Sequence, residues 1–207
     1  MRFLTVVATC VALAGCSDAP QYEPLPAGTV VLAFGDSVTH GTGARDGEDY
    51  PTHLAQLTGW EVINAGIPGD TAKRAANRIH DELARIRPVV AIIELGGNDF
   101  LRRRPQSLVK EDLRTIINAT RAAGAIPVLV AVPGASLFGA ATGSLSDAPI
   151  YAELADEERV LLIDDVFVDV LSDDALRADR IHPNAAGYRV FATGVADALA
   201  RAGLVTR

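Results

Sequence analysis

The sequence is short of cysteine, aromatic residues and positive charge, and each shortage excludes something. Its two cysteines, Cys10 and Cys16, both fall within the first sixteen residues. The rest of the chain therefore offers no disulfide, no thiol nucleophile and no thiolate metal site. The four histidines, His40, His53, His80 and His182, form no HExxH or HxH pattern, so no metal or other cofactor is expected. Lysine and arginine number 19 against 26 aspartates and glutamates, a formal charge of −7. That balance argues against a nucleic-acid partner and against attraction to anionic lipid, the run Arg102-Arg103-Arg104 being a local exception. No apolar run is long enough to span a bilayer, and no repeat or low-complexity block appears. What remains is an ordinary 207-residue composition, 49% hydrophobic, enough to build the core of one domain.

The N-terminus carries a targeting pattern. Arg2 supplies a positive start, Phe3 to Leu13 is apolar apart from threonines, and Leu13-Ala14-Gly15-Cys16 follows. This pattern resembles a bacterial lipobox, in which Cys16 becomes the lipidated first residue after removal of residues 1–15. A plain secretory signal cleaved near Ala14 or Ala19 is the alternative. Residues 16–28, with three prolines and no apolar periodicity, read as a flexible tether. Residues 29–207 then form the domain, expected as a monomer, exported and facing the periplasm. Ser17 rather than Asp after the cysteine favours the outer membrane in a Gram-negative host.

Within the domain, apolar runs alternate with helical patterns. Val30 to Phe34, Glu61 to Ala65, Val89 to Leu95, Ile126 to Val132 and Val160 to Ile163 read as five strands buried on both faces. Helical stripes run over Asp70 to Arg85, Leu108 to Ala123 and Asn184 to Ala202. Alternation of this kind predicts βαβ units and an α/β fold with a parallel sheet covered on both faces. In such sheets ligands bind beyond the carboxyl ends of the strands. The first three runs end at Gly35-Asp36-Ser37, at Gly66 and at Gly96-Gly97-Asn98-Asp99, so these loops converge on one edge.

The residue types on that edge suit acyl transfer. A serine hydroxyl needs an imidazole to take its proton and a carboxylate to orient the imidazole. Ser37 stands after the first strand, and Asp179 and His182 stand three residues apart before the last helix. Read alone, Ser37 is equally a helix cap and His182 a surface histidine. Gly66 is either a turn glycine or a backbone N–H donor to a substrate carbonyl. Asn98 is either a turn former or a side-chain donor to a developing oxyanion. Asp99 reads as a structural carboxylate, Thr71 or Asp70 as a helix cap, and His40 as a candidate pocket residue. The glycine-rich stretch Gly35 to Gly43 lacks the phosphate-loop ending. Residues 133–149, with Leu137 and Phe138, are a candidate wall of the acyl pocket, and Phe100 is another.

Gly-Asp-Ser at 35–37, Gly66, Gly-Gly-Asn-Asp at 96–99 and Asp-x-x-His at 179–182 together resemble the SGNH (GDSL-type) hydrolases over about residues 29–203. Val38 replaces the leucine of the commonest signature. The segments Glu94 to Asp99 and Asn64 to Thr71 are similar to the bacterial acyl-CoA thioesterase/lysophospholipase and arylesterase branch. The resemblance implies a flavodoxin-like three-layer α/β/α sandwich with a five-stranded parallel sheet. It implies Ser37 as nucleophile, His182 as base and Asp179 as its orienting acid. Ser37 N–H, Gly66 N–H and the Asn98 side chain would form the oxyanion hole. The substrate would be a small-molecule acyl ester or thioester. A sugar O-acetyl esterase or acetyltransferase of the envelope, and a non-catalytic binding lipoprotein, are the competing readings.

Overall fold

Five apolar runs become five parallel strands in the computed structural model, which describes residues 22–134 and 145–206. They are β1 (Val30–Gly35), β2 (Glu61–Gly66), β3 (Val90–Glu94), β4 (Ile126–Val130) and β5 (Leu161–Ile163). Their order in the sheet is β2-β1-β3-β4-β5, the flavodoxin-like doubly wound order with its switch point between β1 and β3. β1, β3 and β4 are buried almost throughout, as their continuous Val, Ile and Leu content requires. β2 differs from expectation: Glu61 and Asn64 are exposed and its other residues are only half-buried. It is an edge strand, and its Glu and Asn mark the side left without a neighbour.

Eight helices connect the described strands: α1 (Ser37–His40), α2 (Tyr50–Thr58), α3 (Ala72–Ile86), α4 (Gly97–Leu101), α5 (Gln106–Ala122), α6 (Ile150–Glu158), α7 (Val166–Ser172) and α8 (Ala185–Arg201). α3 packs on α5, while α2 and α7 pack on α8. The three long helices fall where the apolar stripes predict. Thr71 caps α3 by accepting the Arg74 N–H at 3.3 Å. α8 begins later than Pro183 suggests, because Asn184 caps it and accepts the Gly187 N–H at 3.0 Å. The core face of α8 carries Tyr188, Phe191, Val195 and Leu199, all fully buried, each side chain worth roughly 1.5–3 kcal/mol by burial.

Two features place the site. Parallel register pairs Gly35 with Gly66 on one side and with Glu94 on the other, so three chain segments leave the sheet at one level. The loop after α1 then props the segment before α8. Tyr188 donates from its hydroxyl to Thr42 O at 2.7 Å. Gly43 lies so close that a Cβ there would stand 2.4 Å from Pro183 O and 2.8 Å from the Ala178 Cβ. The described part of the tether is docked rather than free. Tyr22 N–H donates to Ala202 O, Leu25 N–H to Leu204 O and Gly28 N–H to Gly59 O.

Gly43→Ala tests the prop. Gly43 has φ +102°, so alanine is strained there as well as crowded, and we expect a loss of more than about 1 kcal/mol of stability. Thermal melting should show the loss, and the rate of amide hydrogen exchange over residues 178–183, the segment that Gly43 touches, should rise with it. An unchanged melting temperature and rate would show that this contact places nothing.

Candidate active site

The site begins where β1 runs out. Asp36, 3% exposed, caps α1 by accepting the Val38 N–H on Oδ1 at 3.0 Å. That cap fixes Ser37 as the first residue of α1 with its hydroxyl turned outward. A second turn, just before α8, brings the partner groups. Ala178 N–H donates to His182 O at 2.9 Å, and Arg177 bridges Pro183. Asp179 Oδ1 accepts the Ile181 and His182 N–H groups at 2.8 and 2.9 Å. Its Oδ2 meets His182 Nδ1 at 2.8 Å, and His182 Nε2 meets Ser37 Oγ at 3.0 Å. Since a carboxylate only accepts, Nδ1 carries the ring proton and Nε2 is left as acceptor for the serine O–H. Burial works to raise Asp179, but the imidazole and the two backbone donors outweigh it and hold the carboxyl below its ordinary value.

Asn98 enters from the other side of β1. Gly96, at φ +125°, turns the chain out of β3 into α4, and Tyr151 donates to Leu95 O at 2.6 Å to pin that turn. One N–H of the Asn98 amide donates to Asp36 Oδ2 at 2.9 Å. Among the described residues the other N–H of the same nitrogen has no acceptor. Asp36 therefore holds the start of α1 with one oxygen and the Asn98 amide with the other. Asp99 is structural: it accepts the Ala72 N–H at 2.8 Å and pairs with Arg104 at 3.0 Å.

Gly66 does not serve as expected. Its N–H is occupied by the Asn64 side chain, Oδ1, at 2.9 Å. Asn64 in turn donates to Thr39 O at 2.8 Å, so this asparagine spends itself tying β2 to α1. A Cβ on Gly66 would meet His40 N at 2.2 Å; the residue is glycine because the backbones touch. The adjacent turn presents a different N–H. Asp70 N–H donates to Ile67 O at 3.0 Å, and Gly69 has φ +77°. Pro68 and Gly69 thus occupy the central positions of a type II turn, a signal visible in the sequence. Among the described residues the Gly69 N–H has no acceptor, while its carbonyl accepts from Arg102 at 3.2 Å. Asp70, 1% exposed, pairs with Arg78 at 2.8 Å. Arg78 also donates to Gly35 O at 3.1 Å and stacks 4.0 Å over the Phe34 ring.

A cavity of about 30 Å³ adjoins Ser37 and His182, with apolar walls from Val38, Leu101, Val132, Phe167, Leu171 and Ile181. Phe100 is not among them; it is buried against Tyr151, ring edge to face. His40 is exposed and lies outside the cavity. Leu137 and Phe138 lie outside the described residues, as does Cys16. Sequence reasoning missed Glu94, which lines the cavity and is 1% exposed. Its apolar neighbours on β3 disguised it as the end of a strand. Among the described residues no group of three or more His, Cys, Asp or Glu could hold a metal ion.

The model of the GDSL-like lipase/acylhydrolase family matches residues 33–190. The chain is 31% identical over 163 residues to the thioesterase 1/protease 1/lysophospholipase L1 of Escherichia coli K12, covering 76% of this chain and 77% of that one. It is 27% identical over 178 residues to the esterase TesA of Pseudomonas aeruginosa, covering 83% and 88%. A crystal structure of TesA superposes with a TM-score of 0.75 at 26% identity, over 84% of this chain and 99% of that one. With the matched segment running from β1 to the body of α8, the chain belongs to the GDSL-like (SGNH) acylhydrolase family and is a hydrolase of ester bonds.

Proposed function

We propose that the protein hydrolyses carboxylic esters or thioesters through an acyl-enzyme on Ser37. The observation that carries this reading is the unbroken line from Ser37 Oγ through the His182 ring to Asp179. His182 Nε2 takes the hydroxyl proton as Ser37 attacks the acyl carbon, and returns it to the leaving alkoxide or thiolate. Water, deprotonated by the same nitrogen, then attacks the acyl-enzyme and releases the acid. Asp179 keeps the ring in the tautomer this requires. The tetrahedral oxyanion would receive the Ser37 N–H, the free N–H of Asn98 and the Gly69 N–H, which replaces Gly66 in this role.

The cavity bears on the acyl group. A water-sized group needs about 10–15 Å³ of such space, so 30 Å³ holds about two. Val38, Val132, Phe167 and Leu171 are at most 4% exposed and belong to the core, so this wall yields only at the expense of packing. The buried wall beside Ser37 thus leaves little depth, which favours a short acyl group there and lends support to the O-acetyl esterase reading within the same chemistry. We also propose that Cys16 is lipidated and that the protein works in the envelope. Residues 1–16 support this, and among the described residues no helix is long and apolar enough to cross a membrane.

Ser37→Ala should lower kcat on p-nitrophenyl acetate by about 10⁴-fold or more, and Asp179→Asn by about 10⁴-fold. A phosphonate should label Ser37 alone, read by peptide mass. Normal turnover by Ser37→Ala would reject the mechanism. Across p-nitrophenyl esters from acetyl to octanoyl, kcat/KM should peak at the short end. An octanoyl ester turned over as well as acetyl would reject the small-pocket reading while leaving the mechanism standing.

A further inference from the structure

Beneath Ser37 lie two buried carboxyl groups, Asp36 and Glu94, 3% and 1% exposed. The nearby arginines are committed elsewhere, Arg78 to Asp70 and Gly35 O, and Arg104 to Asp99 and Asp112. The ionisable groups facing the pair come from every element around it. Tyr50 of α2, Tyr151 of α6 and Tyr188 of α8 feel the charge of Glu94. Asp70 and His182 act on Asp36, and Asp36 acts on Glu94. Apart from His182, every one of these is neutral or acidic. Two neighbouring carboxylates in such surroundings do not both ionise at neutral pH.

Hydrogen bonding decides which one keeps the charge. Asp36 accepts two N–H donors, from Val38 at 3.0 Å and Asn98 at 2.9 Å. Glu94 accepts the Thr39 hydroxyl on Oε2 at 2.9 Å and feels the Thr39 and Asp36 backbone N–H groups, but its buried Oε1 has no hydrogen-bond partner. A bare carboxylate oxygen in the interior is costly. With its proton on Oε2, Glu94 would donate to Thr39 Oγ1, whose own proton can turn to the Tyr50 hydroxyl, and only an uncharged carbonyl oxygen is left at Oε1. We propose that Glu94 is a positioning residue that carries the single proton of this pair, leaving Asp36 charged to hold both Asn98 and the start of α1. Electrostatics agrees with the geometry. Burial, then the charge on Asp36, push Glu94 well above its ordinary value, against the pull of Thr39 and of the Asp36 backbone N–H. Burial raises Asp36 only to about 6, against the Val38 and Asn98 donors, so Asp36 ionises first. When Glu94 ionises at alkaline pH, the second charge drives Asp36 off Asn98.

Infrared spectroscopy of the resting protein tests this without relying on the proposed reaction. A protonated-carboxyl carbonyl band should persist at pH 7 in the wild type, disappear in Glu94→Gln, and fade in the wild type as pH rises. In rate profiles the shape of the pH dependence is the readout: Glu94→Gln, whose amide stays neutral, should lose the alkaline fall of kcat/KM that the wild type shows, whatever its rate at pH 7. Asp36→Asn should lower kcat about 10²-fold at every pH with KM little changed, the cost of a lost oxyanion donor. Stability gives a third reading. The folded chain keeps a proton on Glu94 that the unfolded chain releases above about 4.3, so wild type should lose stability relative to Glu94→Gln as pH rises past that value. A band that survives in Glu94→Gln, or an alkaline fall unchanged by it, overturns the proposal. If Glu94→Gln does not fold, Thr39→Val should shift the wild-type band by removing its hydrogen bond, and an unshifted band overturns the proposal equally. Absence of any ester turnover would instead count against the reaction proposed for Ser37.

Discussion

Parallel hydrogen bonding sets Gly35 level with Gly66 and with Glu94, and most of the site follows from that alignment. A parallel sheet sends every strand out through the same edge, so loops distant in sequence meet without any contact of their own. Ser37, the Pro68-Gly69 turn and Asn98 are delivered this way. What the sheet cannot supply is His182, the proposed base, which belongs to a loop behind the last strand. The protein solves this by bracing one loop on another. Thr42 and Gly43 support Tyr188, Pro183 and Ala178, and the Asp179 carboxylate gathers its own turn through two backbone bonds before it reaches the imidazole.

Side chains near this edge are used twice. Asp36 caps a helix and holds an amide. Arg78 neutralises Asp70 while closing the end of β1 at Gly35 O. Each such group links a backbone position to a functional one, so geometry is transmitted through short hydrogen-bonded paths rather than through bulk packing. The cost is desolvated carboxyl groups, and the site concentrates them: Asp36, Asp70, Glu94 and Asp99 are all nearly inaccessible.

Much of this was legible in the sequence, for identifiable reasons. Uninterrupted Val, Ile and Leu runs can hardly do other than form buried strands, and four of the five are buried as expected. β2 was over-read because Val62 and Ile63 look like core, whereas Glu61 and Asn64 betray the edge. Ser37, Asn98, Asp179 and His182 could be picked out because each sits where periodicity breaks. Gly66 could not be separated from Gly69 by position alone, since the choice turns on where the Asn64 side chain points. Glu94 was invisible for the opposite reason. A carboxyl at the end of an apolar strand looks like its polar terminus, and only the packed structure reveals that no water reaches it.

The docking of residues 22–28 carries a consequence for orientation. Tyr22 and Leu25 bond to the chain just past the C-terminal end of α8, and Gly28 to the residue capping α2. That is the edge of the sheet opposite Ser37, and the 17 residues of α8 put about 25 Å between the two. Six peptide steps separate Cys16 from Tyr22, a reach of about 20 Å at full extension. If Cys16 is lipidated, as proposed, so short a leash keeps the docked face of the domain toward the anchoring surface and turns the mouth of the site away from it.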